Sequence, residues 1–507
     1  MNKYKYIGLF LLSLSISSCD VNNELDAIPA ELAAEVALNT NGLDFSKYVS
    51  IGASFTAGYT DGAMFKAAQE NSFPNILAGK FGTEFKQPLM NDNIGGLVYG
   101  GTAVQPPRFY FNGAGPARLP AMPTTELTAV LSGPFNNFGA PGAKSFHLGV
   151  AGYGQLNPYF GRMASSPGAS VMGDALAQSP TFFTLSEIGG NDVLGYALSG
   201  GSGVDQTGNY NPATYGSSDI TDPNVFASVF SGMVTALTAN GAKGVVANVP
   251  YITNLANFTT VPFNALDPSN PALAPQIDAL NTQLYGPLKN IFTAYGEPNR
   301  INVLSKTAAN PVLIFDENAT DMSAQITGAL TPVLGAPTAS AFGAIFGKAR
   351  QATGNDLLLL ASSTVIATPV AGVPSPINVN GVSYPLQDQW VLTPQEQSAI
   401  KTATDAYNTT IAAIAASNPN VALVDFKGVL AEASTGIKFD AYTLNTKLVT
   451  GGLISLDGVH LTARGYALMA NKILAAMDAE FGTNFTTATR GLAKAGDYPT
   501  NYSPALR

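Results

Sequence analysis

Short apolar segments of strand length alternate with longer segments of helical periodicity, and this alternation constrains the fold more than any other feature of the chain. The predicted strands are residues 47–51, 181–187, 244–249, 301–304 and 421–426, and the predicted helices are residues 72–81, 222–239, 275–295, 393–417 and 462–480. Strands that alternate with helices form a parallel sheet with helices packed on both of its faces. The sequence therefore predicts an α/β fold with a central parallel sheet.

The composition excludes several kinds of site and partner. Cys19 is the only cysteine, so the chain contains no internal disulfide, thiolate zinc site or iron–sulfur cluster. The two histidines, His147 and His460, are the only candidates for a histidine base. The formal net charge of −9 argues against nucleic acid as a partner, because binding nucleic acid requires a basic surface.

The N-terminal segment has the pattern of an exported lipoprotein. Lys3 and Lys5 precede an apolar run at residues 7–17, which is too short to cross a bilayer and fits a signal peptide. Small residues then lead to Cys19, which resembles the lipobox of bacterial lipoproteins. The resemblance implies cleavage after residue 18, acylation of Cys19, and anchoring at the outer membrane or cell surface of a Gram-negative bacterium. The alternative is an ordinary secreted protein.

Changes in composition predict how the rest of the chain is organised. We expect a tether at residues 19–45, one α/β domain at residues 46–485, and a loosely held tail at residues 486–507. The domain carries long insertions at about residues 60–135, 195–222 and 255–390. Within the last insertion, residues 318–350 are unusually apolar. They form either a lid over an apolar groove or part of an ordinary core.

Three short motifs lie at predicted strand-to-helix junctions, where open α/β sheets bind ligands. Ser54 lies in a turn of small residues, Asn191 follows paired glycines, and Asp457 stands three residues before His460. A serine can act as a nucleophile, an Asn amide can stabilise an oxyanion, and an Asp can orient a histidine base. Each motif alone is also explained by an ordinary turn, cap or surface loop. Together they indicate nucleophilic catalysis.

This set of motifs resembles the SGNH hydrolase superfamily, the GDSL-like esterases and lipases. The family has a flavodoxin-like three-layer α/β/α fold and cleaves esters through an acyl-enzyme. The resemblance implies that Ser54 is the nucleophile, that Asp457 and His460 complete the catalytic triad, and that the Ser54 N–H helps to hold the oxyanion. The other implied oxyanion donors are the Gly142 N–H and the Asn191 side chain, with Gly139 as a less favoured alternative to Gly142.

The chain departs from the family pattern at the serine motif and in its spacing. Ala53 and Phe55 replace the usual Asp and Leu, and the motifs are unusually far apart. In the family the Asp supports the turn, so Ala53 puts the rigidity of that turn in doubt. We expect His147 to lie on a helix surface or beside the site rather than to act as the base. We expect Trp390 to pack in the protein rather than to form a substrate platform.

The resemblance implies a serine esterase that requires no metal or cofactor. Lipids or other acyl esters are the expected substrates, and O-acetyl groups of surface glycans are the alternative. The departures at Ala53 and Phe55 also permit a non-catalytic surface lipoprotein that binds glycan or lipid.

Overall fold

Five parallel strands form the central sheet of the computed structural model, which describes residues 35–507. They are β1 (Tyr48–Gly52), β2 (Asn137–Gly139), β3 (Phe182–Leu185), β4 (Lys243–Ala247) and β5 (Val421–Val424). Their spatial order is β5-β4-β3-β1-β2, which is the flavodoxin-like order. All five residues of β1 are buried, as expected for a parallel strand covered on both faces. The predicted parallel α/β fold is thereby confirmed.

Helices cover the sheet and complete a three-layer sandwich. The helices of this sandwich are α1 (Ser54–Ala57), α2 (Phe73–Phe81), α3 (Val171–Ala177), α4 (Asn191–Leu198), α5 (Pro223–Thr238), α6 (Pro394–Ser417), α7 (Phe426–Thr435) and α8 (Ala463–Phe481). Helices α2 and α8 pack together on one face, and α3, α5 and α6 pack on the other. No helix within residues 35–507 is both long and apolar enough to cross a membrane.

Polar caps encoded in the sequence fix where the long helices begin. The Asp222 carboxylate accepts the N–H groups of Asn224 and Val225 at the start of α5. The Thr462 hydroxyl accepts the Gly465 N–H at the start of α8. These caps satisfy N–H groups that have no partner inside the helix, which is why the predicted helix starts agree with the observed ones.

The insertion at residues 255–390 has a hydrophobic core of its own. Its elements include helices Gly286–Ala294, Ser323–Leu334 and Ala336–Phe346, and it pairs strand Leu313–Phe315 with Ala349–Gln351 and strand Leu357–Leu358 with Val391–Leu392. Ile326 and Phe346 are fully buried in this second core. Trp390 packs against the same core, as expected. Residues 301–304, predicted as a strand, form none.

The remaining elements are short and lie outside the central sheet. They include helices Lys66–Glu70, Pro158–Gly161, Ala256–Thr259 and Ile277–Leu280, the π-helix Asn281–Tyr285, several 3₁₀-helices, and the strand pairs Leu97–Tyr99 with Thr102–Gln105, Phe109–Phe111 with Pro116–Arg118, and Ile437–Phe439 with Tyr442–Leu444.

The prediction of a loosely held tail at residues 486–507 is wrong. The buried Arg108 guanidinium donates hydrogen bonds to the main-chain oxygens of Ser503 and Leu506, at 2.7 and 3.1 Å. Tyr502 is buried beside it. A buried guanidinium requires hydrogen-bond acceptors, and the main-chain oxygens of Ser503 and Leu506 are two of them. The last residues of the chain therefore help to stabilise Arg108 in its buried position.

The predicted tether is described only from residue 35 onward, and its last part packs against the domain. Phe45 is buried and stacks on Phe81, with 4.0 Å between the ring centroids. The Asn41 amide donates to the main-chain oxygen of Phe481 at the end of α8. The predicted signal peptide, Cys19 and the first part of the tether lie outside the described residues.

Candidate active site

The serine and asparagine motifs lie side by side where the strand order reverses. Ser54 begins α1 directly after β1, and Asn191 begins α4 a few residues after β3. Strands β1 and β3 are neighbours, so their carboxyl ends meet. In open α/β sheets this reversal point is where ligands bind.

The Glu187 carboxylate, on the other side of this crevice, holds the turn that contains Ser54. Glu187 Oε1 accepts the N–H groups of Ala53 and Thr56, at 2.9 and 2.6 Å, and Oε2 accepts the N–H of Phe55 at 2.8 Å. Burial raises the pKa of Glu187, while these three donors oppose that rise. Within the described structure, the Ser54 N–H is the one amide of residues 53–56 that has no hydrogen-bond acceptor, so it is free to bind a ligand oxygen.

The Glu187 side chain thus caps the N-terminus of α1, which the Ala53 side chain cannot do. Ala53 is the N-cap of α1 and has no side chain that could accept a hydrogen bond. An Asp at an N-cap accepts the N–H groups two and three residues later, which are the Phe55 and Thr56 groups that Glu187 takes. Sequence reasoning missed this role, although the missing carboxylate at position 53 was a signal that another residue must supply one. The backbone of Glu187 has a φ of 57°, an uncommon conformation that the surrounding hydrogen bonds maintain.

The Asp457 carboxylate binds the His460 ring. Oδ2 of Asp457 lies 2.9 Å from Nδ1 of His460, and Oδ1 accepts the N–H groups of Val459 and His460. The Gly62 N–H also donates to Oδ2, at 2.7 Å. Burial by itself would raise the pKa of Asp457, but the imidazole and these N–H donors hold it well below its ordinary value. The carboxylate is therefore ionised and fixes the ring with Nδ1 as the donor.

The His460 ring lies against residues that flank the serine. Its centroid is 5.6 Å from the ring of Phe55 and 4.6 Å from the ring of Tyr59. Ser54 is 8% exposed and the His460 side chain 14%, so both are enclosed but reachable. The Ser54 hydroxyl forms no hydrogen bond with His460 in the described structure. In unliganded enzymes this bond is often long and shortens when substrate binds.

Of the two glycines considered as oxyanion donors, the structure favours Gly142. The Gly139 N–H donates to Oδ1 of Asn137 at 2.9 Å, so it is already occupied. The Gly142 N–H has no acceptor among the described residues, and Gly142 is exposed. The Asn191 amide donates to the Ala143 main-chain oxygen at 2.9 Å, which places Asn191 next to Gly142 and leaves its second N–H free.

His147 has a structural role near the site. Its Nδ1 accepts the N–H of Lys144 at 3.1 Å, and its ring stacks on Tyr153. Burial lowers the pKa of His147, which favours the neutral ring that this contact requires. This placement beside the site agrees with the expectation from sequence.

A mainly apolar pocket of about 110 Å³ adjoins Ser54. Ser54 and Asn191 line one part of it, and aliphatic side chains of Leu194, Ile252 and Met469 line much of the rest. Among the described residues, none from 318–350 lines this pocket. Of the two alternatives for this segment, the structure therefore supports part of an ordinary core and not a lid over this pocket, because Ile326, Phe342 and Phe346 of its two helices pack in or against the core of the insertion.

Comparison of the chain with models of protein families, with curated proteins and with solved structures found no match. The candidate site combines a serine with a free N–H, an Asp–His pair, two further N–H donors and an apolar pocket.

Proposed function

We propose that the protein is a serine esterase of the SGNH type, which hydrolyses carboxylic esters through an acyl-enzyme. The free Ser54 N–H supports this proposal most directly. Glu187 engages the amides on both sides of it, while the Ser54 amide stays without an acceptor. A donor fixed in advance at a nucleophile is the arrangement that stabilises an oxyanion.

In the proposed reaction, His460 Nε2 accepts the Ser54 proton as Oγ attacks the ester carbonyl carbon. The negative oxygen that forms is held by the N–H groups of Ser54 and Gly142 and by the Asn191 amide. The intermediate then expels the alcohol, which takes its proton from His460. Water, deprotonated by His460, attacks the acyl-enzyme, and the acid leaves as Oγ recovers its proton. Asp457 keeps the imidazole oriented and stabilises its charged form.

The pocket beside Ser54 favours a short acyl chain. Its volume of about 110 Å³ is somewhat smaller than the roughly 150 Å³ cavity that holds benzene in another protein. An acyl group of about four to six carbons fills a space of this size, an acetyl group leaves most of it empty, and a palmitoyl chain exceeds it. Esters of short acyl chains are therefore the proposed substrates. Glycan O-acetyl groups are the second candidate.

Hydrolysis of p-nitrophenyl esters from acetate to palmitate tests this function. We expect the highest kcat/KM near butyrate or hexanoate. We expect a loss of at least about a thousandfold in Ser54→Ala, because the nucleophile is absent. Ser434→Ala removes an exposed hydroxyl in α7 and serves as the control. A folded protein that hydrolyses none of these esters and no acetylated glycan would instead be a binding protein.

We also propose, from residues 1–19 alone, that acylated Cys19 anchors the protein to a bacterial outer membrane or cell surface. Incorporation of labelled palmitate that disappears in Cys19→Ala is the expected result. Labelling that persists in the variant would contradict it.

A further inference from the structure

Three carboxyl groups converge where the insertion meets α6. Glu317 follows strand Leu313–Phe315, Asp388 begins a short helical turn before Trp390, and Glu396 lies in the first turn of α6. Each contributes a carboxylate oxygen, and these three oxygens lie within 4.8 Å of one another. We call this set the carboxylate cluster. None of its members contributes to the candidate active site.

Each residue of the carboxylate cluster has an enclosed oxygen without a hydrogen-bond partner. These atoms are Oε2 of Glu317, Oδ1 of Asp388 and Oε1 of Glu396. Glu396 is only 3% exposed. Its other oxygen accepts the Thr393 N–H at 2.6 Å, and the other oxygen of Glu317 accepts from the Asn318 amide at 2.7 Å. Burying a carboxylate oxygen without a donor is strongly unfavourable, so these atoms indicate a missing partner.

No lysine or arginine among residues 35–507 forms an ion pair with the cluster. Arg350, which lies nearby in the sequence, is engaged by Asp316 and Asp356 at 2.5 and 2.6 Å. Three carboxylate oxygens therefore converge here without a lysine or arginine side chain of the described residues to neutralise them.

We propose that the carboxylate cluster binds a divalent cation, and that this cation is Ca²⁺. Its donors are oxygens alone, which suit a hard cation and offer no nitrogen or sulfur ligand for zinc. Ca²⁺ binds oxygen at about 2.3–2.6 Å, so oxygens that share one ion lie no more than about 5 Å apart, and the oxygens of the cluster meet that limit. Mg²⁺ demands a near-ideal octahedral geometry and usually keeps several waters, so three converging carboxylates suit Ca²⁺ better.

The cation would join two parts of the protein. Glu317 and Asp388 belong to the insertion, and Glu396 belongs to the sheet domain. The chain after α4 also packs closely against Glu396, because a Cβ added to Gly201 would clash with Oε1 of Glu396. Ca²⁺ would therefore stabilise the attachment of the insertion. This inference is independent of the proposed esterase activity.

Calorimetric titration of the EDTA-treated full chain with CaCl₂ tests the proposal. We expect one site per chain and a higher Tm with Ca²⁺, with weaker binding of MgCl₂. Glu396→Gln removes one charge and keeps an oxygen for the Thr393 N–H, so the helix cap is retained. It should weaken Ca²⁺ binding at least about tenfold. Glu84→Gln, at an exposed carboxylate, should bind Ca²⁺ as the parent does.

A second readout separates cation binding from a purely structural role. In EDTA, Glu396→Gln should melt at or above the Tm of the parent, because one repulsive charge is gone. With Ca²⁺ bound, Glu396→Gln should have a lower Tm than the parent. If Glu396→Gln does not fold, Asp388→Asn takes its place. Absence of Ca²⁺ binding, equal binding by parent and cluster variants, or tighter binding of Mg²⁺ would each overturn the assignment.

Discussion

Replacing Glu187 by Gln tests whether its carboxylate holds the nucleophile turn in a working geometry. The carboxylate accepts three N–H groups, from Ala53, Phe55 and Thr56. Gln has nearly the same size but only one acceptor oxygen. If the Gln oxygen takes the place of Oε1, the hydrogen bonds from Ala53 and Thr56 remain, but the NH₂ group faces the Phe55 N–H and two donors oppose each other. If the oxygen takes the place of Oε2, only the hydrogen bond from Phe55 remains and the other two are lost.

The magnitude follows from the number of hydrogen bonds lost. A hydrogen bond to a charged group contributes about 1.5–3 kcal/mol. Loss of one such bond, together with two opposed donors, destabilises the turn by roughly 2–4 kcal/mol. If that cost appears fully in the transition state, kcat falls about 30-fold to 1000-fold. KM should change little, because the Ser54 N–H acts mainly on the developing oxyanion.

The assay measures kcat and KM with p-nitrophenyl butyrate and the free energy of unfolding in urea. Glu432→Gln, at an exposed position of α7, is the matched control and should change neither quantity. A folded Glu187→Gln with kcat within threefold of the parent and unchanged stability would refute the assigned role. A rise in KM alone would refute it too. The urea measurement tests the turn even if the protein has no esterase activity.

Two further predictions concern the carboxylates near His460. Asp457→Asn should lower kcat by about 10³–10⁴ with little change in KM, because the amide NH₂ favours the imidazole tautomer without a proton on Nδ1. A loss of less than about tenfold in steady-state kinetics would contradict this prediction. Burial, reinforced by Asp457, raises the pKa of Asp61 to about 7. Folded Asp61 therefore binds a proton below about pH 7 and unfolded Asp only below about pH 4, so its contribution to stability falls as pH rises between these values. Asp61→Asn should be more stable than the parent at pH 8, by up to roughly 4 kcal/mol, with a smaller gain at pH 5; equal gains in urea unfolding at both pH values would contradict it.

The sequence predicted most of the fold because its strands are continuous apolar runs. Four of the five central strands and helices α5, α6 and α8 lie within two residues of their predicted positions, and three of those strands end two residues earlier than predicted. Strand β2 was missed because it has only three residues and too short a pattern to show periodicity. Residues 301–304 were apolar enough to suggest a strand but found no pairing partner. In this case tertiary contacts outweigh local propensity.

Contacts between distant parts of the chain limited what could be predicted of the site. Ser54, Asn191, Asp457 and His460 belong to short motifs, and such motifs are visible in the sequence. The hydrogen bond from Ala53 to Glu187 joins residues 134 positions apart, and no local pattern indicates it. The carboxylate cluster is likewise assembled from positions 317, 388 and 396, which become neighbours only after the insertion folds.

Glu187 accepts the Phe55 and Thr56 N–H groups that an N-cap Asp at position 53 would accept, so we expect the turn to need a carboxylate rather than one particular sequence position. If so, Ala53→Asp should partly rescue Glu187→Gln, because an N-cap Asp accepts the same Phe55 and Thr56 N–H groups. An N-cap interaction contributes about 1 kcal/mol, so kcat should recover by about fivefold. Ala53→Asn in the Glu187→Gln background is the control for charge, since it caps similarly without the negative charge. Recovery by neither variant would mean that the geometry of Glu187, and not its capping, sustains the turn.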